Sequence, residues 1–354
     1  MRPSLSLLIV AWNSRAELTR TLPALLPELG EGDELIVVDN DSSDDSAELV
    51  RQLAPAAKVV QTGRNLGFAG GCEAGAAEAS GDLLVILNPD AAPLPGFGES
   101  IRQPWLQGRG WTAWQALVAE AGGTEINSAG NPIHFTGIVW AGMHGRPIAE
   151  VPPAGEVVAL SGACLAIPLA EWRRVGGFAP RFFMYHEDVD LSIRLRLEGG
   201  TLGIEPAAVV AHEYDFGGSE HKWRWLERNR LAFVLRTYPA PLLLLLAPAL
   251  LATDVALLAV AAQGGWLRQK LAANAEVLRW TPRLLRERRR IQRQRTISAA
   301  EFASLLTPDL DSPFISPLAR SLPARLVLRA YWRTVRLLLG VPRSAGSSAG
   351  SGSR

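Results

Sequence analysis

The chain has 354 residues, of which 48 % are hydrophobic and 20 % are charged. This length accommodates one large globular domain with an appendage, and the hydrophobic fraction indicates that part of the chain associates with a membrane. Because the formal net charge is only +1, the composition excludes a general electrostatic affinity for nucleic acid, and we expect no nucleic-acid partner.

The first ninety residues alternate between apolar runs and helical patterns. The runs at 5–10, 34–39, 58–61 and 82–87 predict strands, and the segments at 14–27, 43–53 and 68–79 predict helices. Ser14 and Glu17 are spaced as a capping box at the start of the first helix. The alternation predicts an α/β fold with a mostly parallel, Rossmann-like sheet that helices flank on both faces.

The remaining chain predicts further elements and then a change of character. We expect a helix and irregular strands over 96–157, a strand over 157–167, a helix over 189–197 and a strand over 201–212. After residue 238 the chain becomes apolar and then rich in arginine. The predicted organisation is one domain over 1–238, a helical appendage over 239–340 and a disordered tail over 341–354.

The compartment is predicted from the cysteines and the N-terminal region. Cys72 and Cys164 have no Cys-x-x-Cys or Cys/His partner nearby, which favours small buried residues over a disulfide or a zinc site. The first apolar run, Leu5 to Val10, is too short for the core of a secretion signal. We therefore expect the first domain to lie in the cytoplasm.

Asp39 and Asp90 each follow an apolar strand. In a parallel sheet the carboxyl ends of the strands lie at one edge, where ligands bind. Two carboxylates at that edge suit a nucleoside and a metal-bound diphosphate, since Mg²⁺ and Mn²⁺ prefer oxygen ligands and bridge phosphates. The alternative is that each aspartate only caps the helix that follows it.

Three further features are candidates for chemistry. The glycines from Gly63 to Gly71, with Arg64 among them, indicate either a phosphate-binding loop or a tight turn before a close-packed helix. The acidic run that contains Glu187 and Asp188 starts a predicted helix, so it is either an end cap or the position of a general base. His212 ends the next strand at the same edge and is a candidate metal ligand.

The order of these motifs resembles that of family 2 glycosyltransferases with the GT-A fold, and in particular the bacterial branch of rhamnosyltransferases and galactofuranosyltransferases. The resemblance covers roughly residues 4–240. The motifs that carry it are Val10-Ala11-Trp12-Asn13, the segments 37–43 and 64–69, Leu87-Asn88-Pro89-Asp90, Ser161-Gly162-Ala163, Gly176-Gly177-Phe178, the segment 187–190, His212 and Arg228-Asn229.

The resemblance implies a binding role for a set of residues around a nucleotide-sugar donor. These are Ala11, Trp12, Asn13, Asp39, Asp41, Arg64, Asn65, Gly67, Asn88 and Arg228. Within this set, Arg228 would neutralise the diphosphate that leaves, and Asn88 stands at the first position of the family's metal motif.

The resemblance also implies the chemistry. Asp90 and His212 would hold Mg²⁺ or Mn²⁺, and Glu187 and Asp188 would form the catalytic pair. Asp188 would act as the base in a single displacement that inverts the anomeric carbon. Glu73 departs from the family pattern, which usually has Asn at that position.

The implied activity is sugar transfer, with dTDP-rhamnose as the first donor expected, to a cell-surface glycan or a lipid-linked acceptor. A sugar nucleotidyltransferase is the alternative enzyme, but it would carry a glycine-rich basic loop where this chain has Ala11-Trp12-Asn13-Ser14. An inactive, membrane-tethered scaffold is the non-enzymatic alternative. The pattern makes no prediction about the oligomeric state.

The apolar run at 239–262 is long enough to cross a bilayer. Three prolines interrupt it, Asp254 lies near its centre, and an arginine cluster follows it. A single span would place that cluster outside, against the positive-inside rule. We therefore expect 239–340 to form an interfacial or hairpin-like appendage on the cytoplasmic face of the bacterial inner membrane. A buried helix pair at a dimer interface is the alternative.

Overall fold

The computed structural model describes residues 2–213, 221–312 and 320–341, and a ten-stranded sheet lies at the centre of this part of the chain. The strands, in chain order, are β1 (Leu5–Ala11), β2 (Glu34–Asp39), β3 (Lys58–Gln61), β4 (Leu83–Leu87), β5 (Ala91–Pro93), β6 (Ala113–Glu120), β7 (Ile126–Ser128), β8 (Gly155–Glu156), β9 (Cys164–Pro168) and β10 (Leu202–His212).

Helices pack against this sheet and extend beyond it. The helices before residue 238 are α1 (Arg15–Leu25), α2 (Ser46–Leu53), α3 (Gly67–Ala77), α4 (Phe97–Ser100), α5 (Gln103–Leu106), α6 (Leu169–Val175), α7 (Glu187–Leu197) and α8 (Lys222–Thr237). The helices that follow are α9 (Ala240–Gln263), α10 (Leu267–Gln294), α11 (Ala299–Ser304) and α12 (Leu322–Leu338). The tail predicted over 341–354 lies outside the described residues except for its first residue, Val341.

The sheet is mixed because one central strand runs against its neighbours. The strand order is β3-β2-β1-β4-β9-β6-β10-β5, with β7 beside β6 and β8 beside β10. β1 is parallel to β2 and β4, and β6 is parallel to β10, whereas β9 is antiparallel to both β4 and β6. The α/β fold is therefore confirmed, and the carboxyl ends of β1, β2, β4, β6 and β10 lie at one edge.

Helix α3 packs closely on the sheet because glycines face the strands. A Cβ atom at Gly71 would overlap the side chain of Val10, and one at Gly75 would overlap Leu8 and Val38. These three apolar residues belong to the buried core on that face of the sheet. The glycines inside the helix therefore serve close packing, which was one of the two explanations that the sequence left open.

The capping box predicted at the start of α1 is wrong. Ser14 makes no side-chain cap to this helix. Its hydroxyl instead accepts a hydrogen bond from the backbone N–H of Trp12 at 3.2 Å. The hydroxyl is turned toward the loop that follows β1, so it stabilises that loop rather than the helix end.

The strand predicted over 157–167 is shorter than expected and begins only at Cys164. The backbone before it finds other partners. The Leu160 N–H donates to Ser192 Oγ at 3.0 Å, and the Ser161 N–H donates to Gln115 Oε1 at 2.9 Å. Side chains therefore satisfy backbone groups that the prediction assigned to the sheet.

The C-terminal helices form a second apolar core that continues from α8. It includes Phe233, Phe302 and Trp332. α9 is one continuous helix of 24 residues, so the interruption that its prolines predict is wrong. Pro248 lies inside this helix and is exposed. The chain reverses after α9, and the hairpin consists of α9 and the arginine-rich α10.

α9 is long and apolar enough to cross a membrane by length and composition, with a mean hydropathy of 2.3. Only 6 % of its most apolar window is buried in the protein. Leu244 and Leu251, for example, are 77 % and 67 % exposed. α9 therefore presents most of its apolar surface to the surroundings instead of to the core.

Asp254, the single charged residue of α9, is held by the neighbouring helices. It forms an ion pair with Lys270 and accepts a hydrogen bond from Asn274 Nδ2 at 3.0 Å. Lys270 is fully buried, and its Nζ also lies 2.8 Å from Glu227 Oε2 of α8. Glu227 in turn pairs with Arg230 at 2.9 Å. This buried network fastens α9 to α8 and α10.

Replacing Lys270 with Met should destabilise the protein by about 3 kcal/mol, because breaking a buried ion pair leaves carboxylates without their partner. The measurement is chemical denaturation followed by circular dichroism. The control is Arg51→Ala, which removes an exposed ion pair with Glu48 at 3.5 Å and should cost less than about 1 kcal/mol. Equal losses in the two variants would contradict the structural role of the network.

Candidate active site

The site lies at the edge where the carboxyl ends of the strands meet. Ala11 ends β1 and pairs in register with Asp39, which ends β2. His212 ends β10 and pairs with Ala91, one residue after Asp90. The strand polarity therefore places Asp39, Asp90 and His212 along the same edge, as the sequence predicted.

The loops after β1 and β2 are tied to each other. The Asn13 N–H donates to Ser42 Oγ at 3.0 Å, and Asn13 Oδ1 accepts from the Ser43 N–H at 2.8 Å. Asp39 Oδ1 accepts from the Ser42 N–H at 3.0 Å. Asn13 and Asp41 have positive φ angles of 50° and 71°, a conformation that Asn and Asp tolerate better than most residues.

These two loops leave side chains at the surface. Trp12 is 53 % exposed, Asp41 is exposed, and Ala11 is buried beneath them. The predicted nucleoside residues that follow β1 and β2 are thus brought together, with an aromatic ring and a carboxylate facing solvent.

A buried asparagine that the sequence analysis gave no role holds the turn after β3. Asn40 Nδ2 donates to Asn65 Oδ1 and to the Gly67 carbonyl, both at 3.1 Å, and its Oδ1 accepts from the Leu66 N–H at 2.9 Å. Gly67 has a φ of 72°, and a Cβ there would overlap the Phe183 carbonyl. Asn65 and Gly67 therefore shape the turn through their own contacts.

The predicted metal residues are neighbours. Asp90 Oδ1 lies 3.2 Å from His212 Nε2, and Asn88 Nδ2 lies 3.5 Å from the same nitrogen. Asp90 Oδ1 is buried and accepts no hydrogen bond from any residue that the structure describes. Within the described residues there is no group of three His, Cys, Asp or Glu side chains that could hold a metal ion. The chain therefore offers an aspartate–histidine pair with an unsatisfied oxygen.

The side chain of Asp188 lies at the same edge, where a backbone N–H of the segment just before β9 donates to it. The Gly162 N–H donates to Asp188 Oδ2 at 2.8 Å, and the Val189 N–H donates to Oδ1 at 2.7 Å. The next residue, Ala163, accepts a hydrogen bond through its carbonyl from the Asn88 N–H at 2.9 Å. Asp188 is thus linked through residues 162–163 to the segment that carries Asp90, on the same edge of the sheet.

Glu187 and Asp188 have different surroundings. Glu187 is buried, and its Oε2 accepts no hydrogen bond from the described residues. Burial and the neighbouring charge of Asp188 raise the pKa of Glu187 well above its usual value. Burial also raises the pKa of Asp188, against the lowering effect of its two backbone hydrogen bonds. The pair therefore favours one negative charge, on Asp188.

The loop before α7 has a strained backbone, and a residue of α8 holds it through hydrogen bonds. Phe183, Tyr185 and His186 have positive φ angles of 64°, 71° and 67°. The amide nitrogen of Asn229 lies 2.9, 2.8 and 2.7 Å from the carbonyl oxygens of Phe182, Met184 and Tyr185. Asn229, to which sequence reasoning gave no role, therefore holds the loop that positions Glu187 and Asp188.

Arg228 points to the same loop and to α10. Its Nη2 donates to the Phe182 carbonyl at 2.9 Å, and its Nη1 lies 3.1 Å from Glu276 Oε2. The guanidinium also lies 4.7 Å from the ring centre of Trp280. Through these contacts Arg228 helps to position the loop before α7. The sequence had predicted only a contact between Arg228 and the donor. Arg64 lines a groove whose walls contain none of the other predicted donor residues.

Glu73, the residue that departs from the family pattern, is part of the wall between α3 and α6. Its Oε1 accepts from the Phe178 N–H at 2.7 Å. Burial raises the pKa of Glu73 to about 7, although the Phe178 hydrogen bond and the charge of Arg194 oppose the shift. Glu73 therefore changes its charge near neutral pH.

The mixed sheet with its flanking helices is of the GT-A type, and Asp39, Asp90 and His212 lie at its carboxyl edge. Residues 6–138 match the sequence profile described as Glycosyl transferase family 2. The chain thus carries a family 2 glycosyltransferase domain.

The chain is similar to several characterised proteins. It is 26 % identical over 238 residues to N-acetylglucosaminyl-diphospho-decaprenol L-rhamnosyltransferase from two strains of Mycobacterium tuberculosis, a match that covers 60 % of this chain and 76 % of the relative. Among solved structures, GalNAc-T7 with UDP, GalNAc and Mn²⁺ superposes with a TM-score of 0.55 at 18 % identity. That match covers 66 % of this chain and 48 % of the other, and it shows the fold.

Replacing Glu73 with Gln should change how stability depends on pH. A carboxyl with a raised pKa binds its proton more tightly in the folded state, so the free energy of unfolding falls as pH rises from about 4.5 to about 7. The variant lacks this loss and should be more stable than the parent at pH 8 by about 1–2 kcal/mol, after a discount for the partial exposure of the side chain. Urea denaturation at pH 5 and pH 8 measures the difference.

The matched control is Glu78→Gln, which changes an exposed acid at the end of the same helix and should leave the pH profile as it is. A Glu73→Gln variant whose stability follows the parent at both pH values would show that burial does not shift this carboxyl.

Proposed function

We propose that the protein is an inverting, metal-dependent glycosyltransferase that moves a sugar from a nucleotide diphosphate to a hydroxyl of a lipid-linked glycan. The observation that carries the proposal is the linkage of Asp188 to the Asn88–Asp90 segment through residues 162–163. It brings a candidate base and a candidate metal pair to one edge of the sheet. dTDP-rhamnose is the first donor to test.

The comparisons support the donor and acceptor classes. The relative that is 26 % identical is named as a rhamnosyltransferase whose acceptor is N-acetylglucosaminyl-diphospho-decaprenol. The structure with a TM-score of 0.55 contains UDP and Mn²⁺. We therefore assign a nucleotide sugar to the strand edge of this chain, with the nucleoside against Trp12, Asn13, Asp39 and Asp41.

The residues at the end of β4 and β10 fit a divalent cation. Asp90 has a buried oxygen that lacks a hydrogen-bond donor, and His212 lies beside it. Two protein ligands leave positions for phosphate oxygens of the donor, as is common for Mg²⁺ and Mn²⁺ sites. A bound cation would neutralise the charge that develops on the departing diphosphate.

Asp188 is suited to act as the base. Its two backbone hydrogen bonds orient the carboxylate, and each oxygen keeps a lone pair for the acceptor hydroxyl. As the acceptor oxygen bonds to the anomeric carbon, Asp188 takes the hydroxyl proton and the bond to the donor phosphate breaks, with its electron pair going to the diphosphate. This single displacement inverts the anomeric configuration. Because its pKa is raised, Glu187 stays protonated and adds no second negative charge next to Asp188.

The C-terminal helices support attachment to the cytoplasmic face of the bacterial inner membrane. α9 exposes its apolar side, while α10 carries a series of exposed arginines beside it. Apolar burial together with attraction to anionic lipids is how interfacial helices bind. Since Asp254 is bound by α10, α9 is expected to lie along the membrane rather than to cross it alone.

Asp188→Asn should lower the rate of sugar transfer by about 10²–10⁴-fold, because the amide cannot take the acceptor proton. Its single amide oxygen can accept from only one of the Gly162 and Val189 N–H groups, so the melting temperature should fall modestly while the dTDP affinity stays at the parent value. The assay is nucleotide diphosphate release from dTDP-rhamnose and other nucleotide sugars with a prenyl-diphosphate-linked acceptor. Transfer at the full rate would refute the assignment, and release of inorganic diphosphate would indicate nucleotidyl transfer.

Asp90→Asn should raise the Mn²⁺ concentration needed for half-maximal activity by about 10–100-fold, since it removes a charged ligand. Mn²⁺ titrations of activity and calorimetry in the presence of dTDP measure the effect. The control is Glu31→Gln, an exposed acid in the loop before β2 at the opposite edge of the sheet. An unchanged Mn²⁺ requirement in Asp90→Asn would remove this residue from the metal site.

A further inference from the structure

The exposed apolar side chains of the protein are concentrated in three of its C-terminal helices. Twelve of the eighteen large apolar residues that are exposed in the described part of the chain belong to α9, α10 and α12. α9 supplies four of them, α10 three and α12 five. Soluble proteins scatter such residues singly over their surface, whereas a contiguous group marks an interaction surface.

Helix α12 is apolar on two opposite sides. Trp332 and Val335 are buried in the second apolar core, where the ring of Trp332 stacks on Phe135 with ring centres 5.0 Å apart. At about 100° per residue, the exposed apolar residues occupy an arc of about 160° nearly opposite these two, which we call the outer face of α12. The outer face consists of Leu322, Leu326, Val327, Leu337 and Leu338, each at least 50 % exposed.

α9 lies beside α12 against the same core. The Tyr331 hydroxyl of α12 donates to the Leu245 carbonyl of α9. Leu242 and Leu246 of α9 are buried in the core that holds Trp332. Because the two neighbouring helices bury their inner sides in one core, their exposed sides face away from it together. The exposed sides of α9 and α12 therefore form one apolar surface.

α10 extends this apolar surface on the opposite flank of α9. Asn274 of α10 binds Asp254, which follows Leu245 by nine residues and therefore lies about half a turn around α9 from it. Leu271 and Leu278 stand three residues before and four residues after Asn274, so they share its side of α10. They are 53 % and 74 % exposed. The apolar surface thus continues from α12 across α9 to α10.

Arginines line both margins of the apolar surface. On α12, Arg333 and Arg336 lie nearly opposite Tyr331, the residue that contacts α9. On α10, Arg286 and Arg293 are exposed on the side of the leucines that is turned away from α9. The long side chains of these arginines can reach a charged layer at the border of an apolar one.

The three helices offer no unpaired acid to a partner. α9, α10 and α12 together contain only three acidic residues, and each of them is bound to a basic side chain. These pairs are Asp254 with Lys270, Glu276 with Arg228, and Glu287 with Arg283. A second copy of the same surface would therefore bring arginines against arginines. An anionic bilayer matches both parts of the surface, because its acyl layer accepts leucines and its phosphates attract arginines.

We propose that the apolar surface of α12, α9 and α10 binds an anionic lipid bilayer, with all three helices lying parallel to the bilayer plane. The leucines and valines would enter the boundary between headgroups and acyl chains, and the arginines of both margins would contact lipid phosphates. The proposal rests on the membrane attachment in the proposed function. It goes further by assigning α12 as a second apolar contact and by placing the arginines at the two borders.

The first test is flotation of the full chain with vesicles made of equal parts phosphatidylcholine and phosphatidylglycerol. Leu326→Gln combined with Leu337→Gln should weaken binding by about tenfold or more, because both side chains lie near the middle of the outer face of α12. The matched control combines Leu53→Gln with Leu106→Gln, two exposed leucines of α2 and α5, and should change binding less than about twofold. Equal weakening in the two double variants would overturn the proposal.

The second test removes one arginine from each margin. Arg333→Gln combined with Arg293→Gln should weaken binding to the vesicles that contain phosphatidylglycerol by about tenfold, because each arginine is attracted to the anionic surface. Binding of the same variant to vesicles of phosphatidylcholine alone should match that of the parent. A parent chain that binds both kinds of vesicle equally well would contradict the assignment of an anionic bilayer.

The outcomes separate this inference from the function on which it rests. Vesicle binding needs neither donor nor acceptor, so a chain that transfers no sugar still gives this readout. Leu244→Gln combined with Leu251→Gln tests attachment through α9 alone. If that variant loses binding while the α12 variant binds like the parent, the attachment through α9 stands and this inference fails.

A second copy of the chain is the other occupant that the experiments can detect. A parent that does not bind vesicles but sediments as a dimer, and that the Leu326→Gln and Leu337→Gln changes convert to a monomer, would assign the surface to self-association. That result would overturn the proposal.

Discussion

The hydrogen bond from the Gly162 backbone to Asp188 connects the two halves of the site. Gly162 lies just before β9, the strand that runs antiparallel between β4 and β6. Because β9 enters the sheet from the carboxyl edge of its neighbours, the residues before it lie beside Asn88 and can receive the first turn of α7. Without this strand direction, the carboxylate of Asp188 and the Asp90–His212 pair would have no common support.

The same carboxylate depends on a strained loop that the C-terminal part of the chain holds in place. Residues with positive φ cost about 1–3 kcal/mol each and persist where surrounding contacts compensate. Here Asn229 of α8 binds the carbonyls of that loop, and Arg228 joins it to Glu276 of α10. The helices after the sheet therefore hold the loop that carries Glu187 and Asp188.

Charge burial explains how an apolar helix is kept on the body of the protein. Apolar contacts alone do not specify which surface a uniformly apolar helix packs against. The carboxylate of Asp254, in contrast, is stabilised only where Lys270 and Asn274 can reach it. This interaction holds α9 against α10 and leaves its remaining surface exposed.

Local pattern alone determined the strands 34–39 and 58–61, the helix near 189–197 and the positions of Asp39, Asp90 and His212 at one edge, because strand polarity follows from strand–helix alternation. The reversed direction of β9, the roles of Asn40 and Asn229, and the continuity of α9 through Pro248 depended on the tertiary structure. The direction of β9 and the roles of Asn40 and Asn229 rest on partners that are distant in sequence. No pattern within a single segment contains that information.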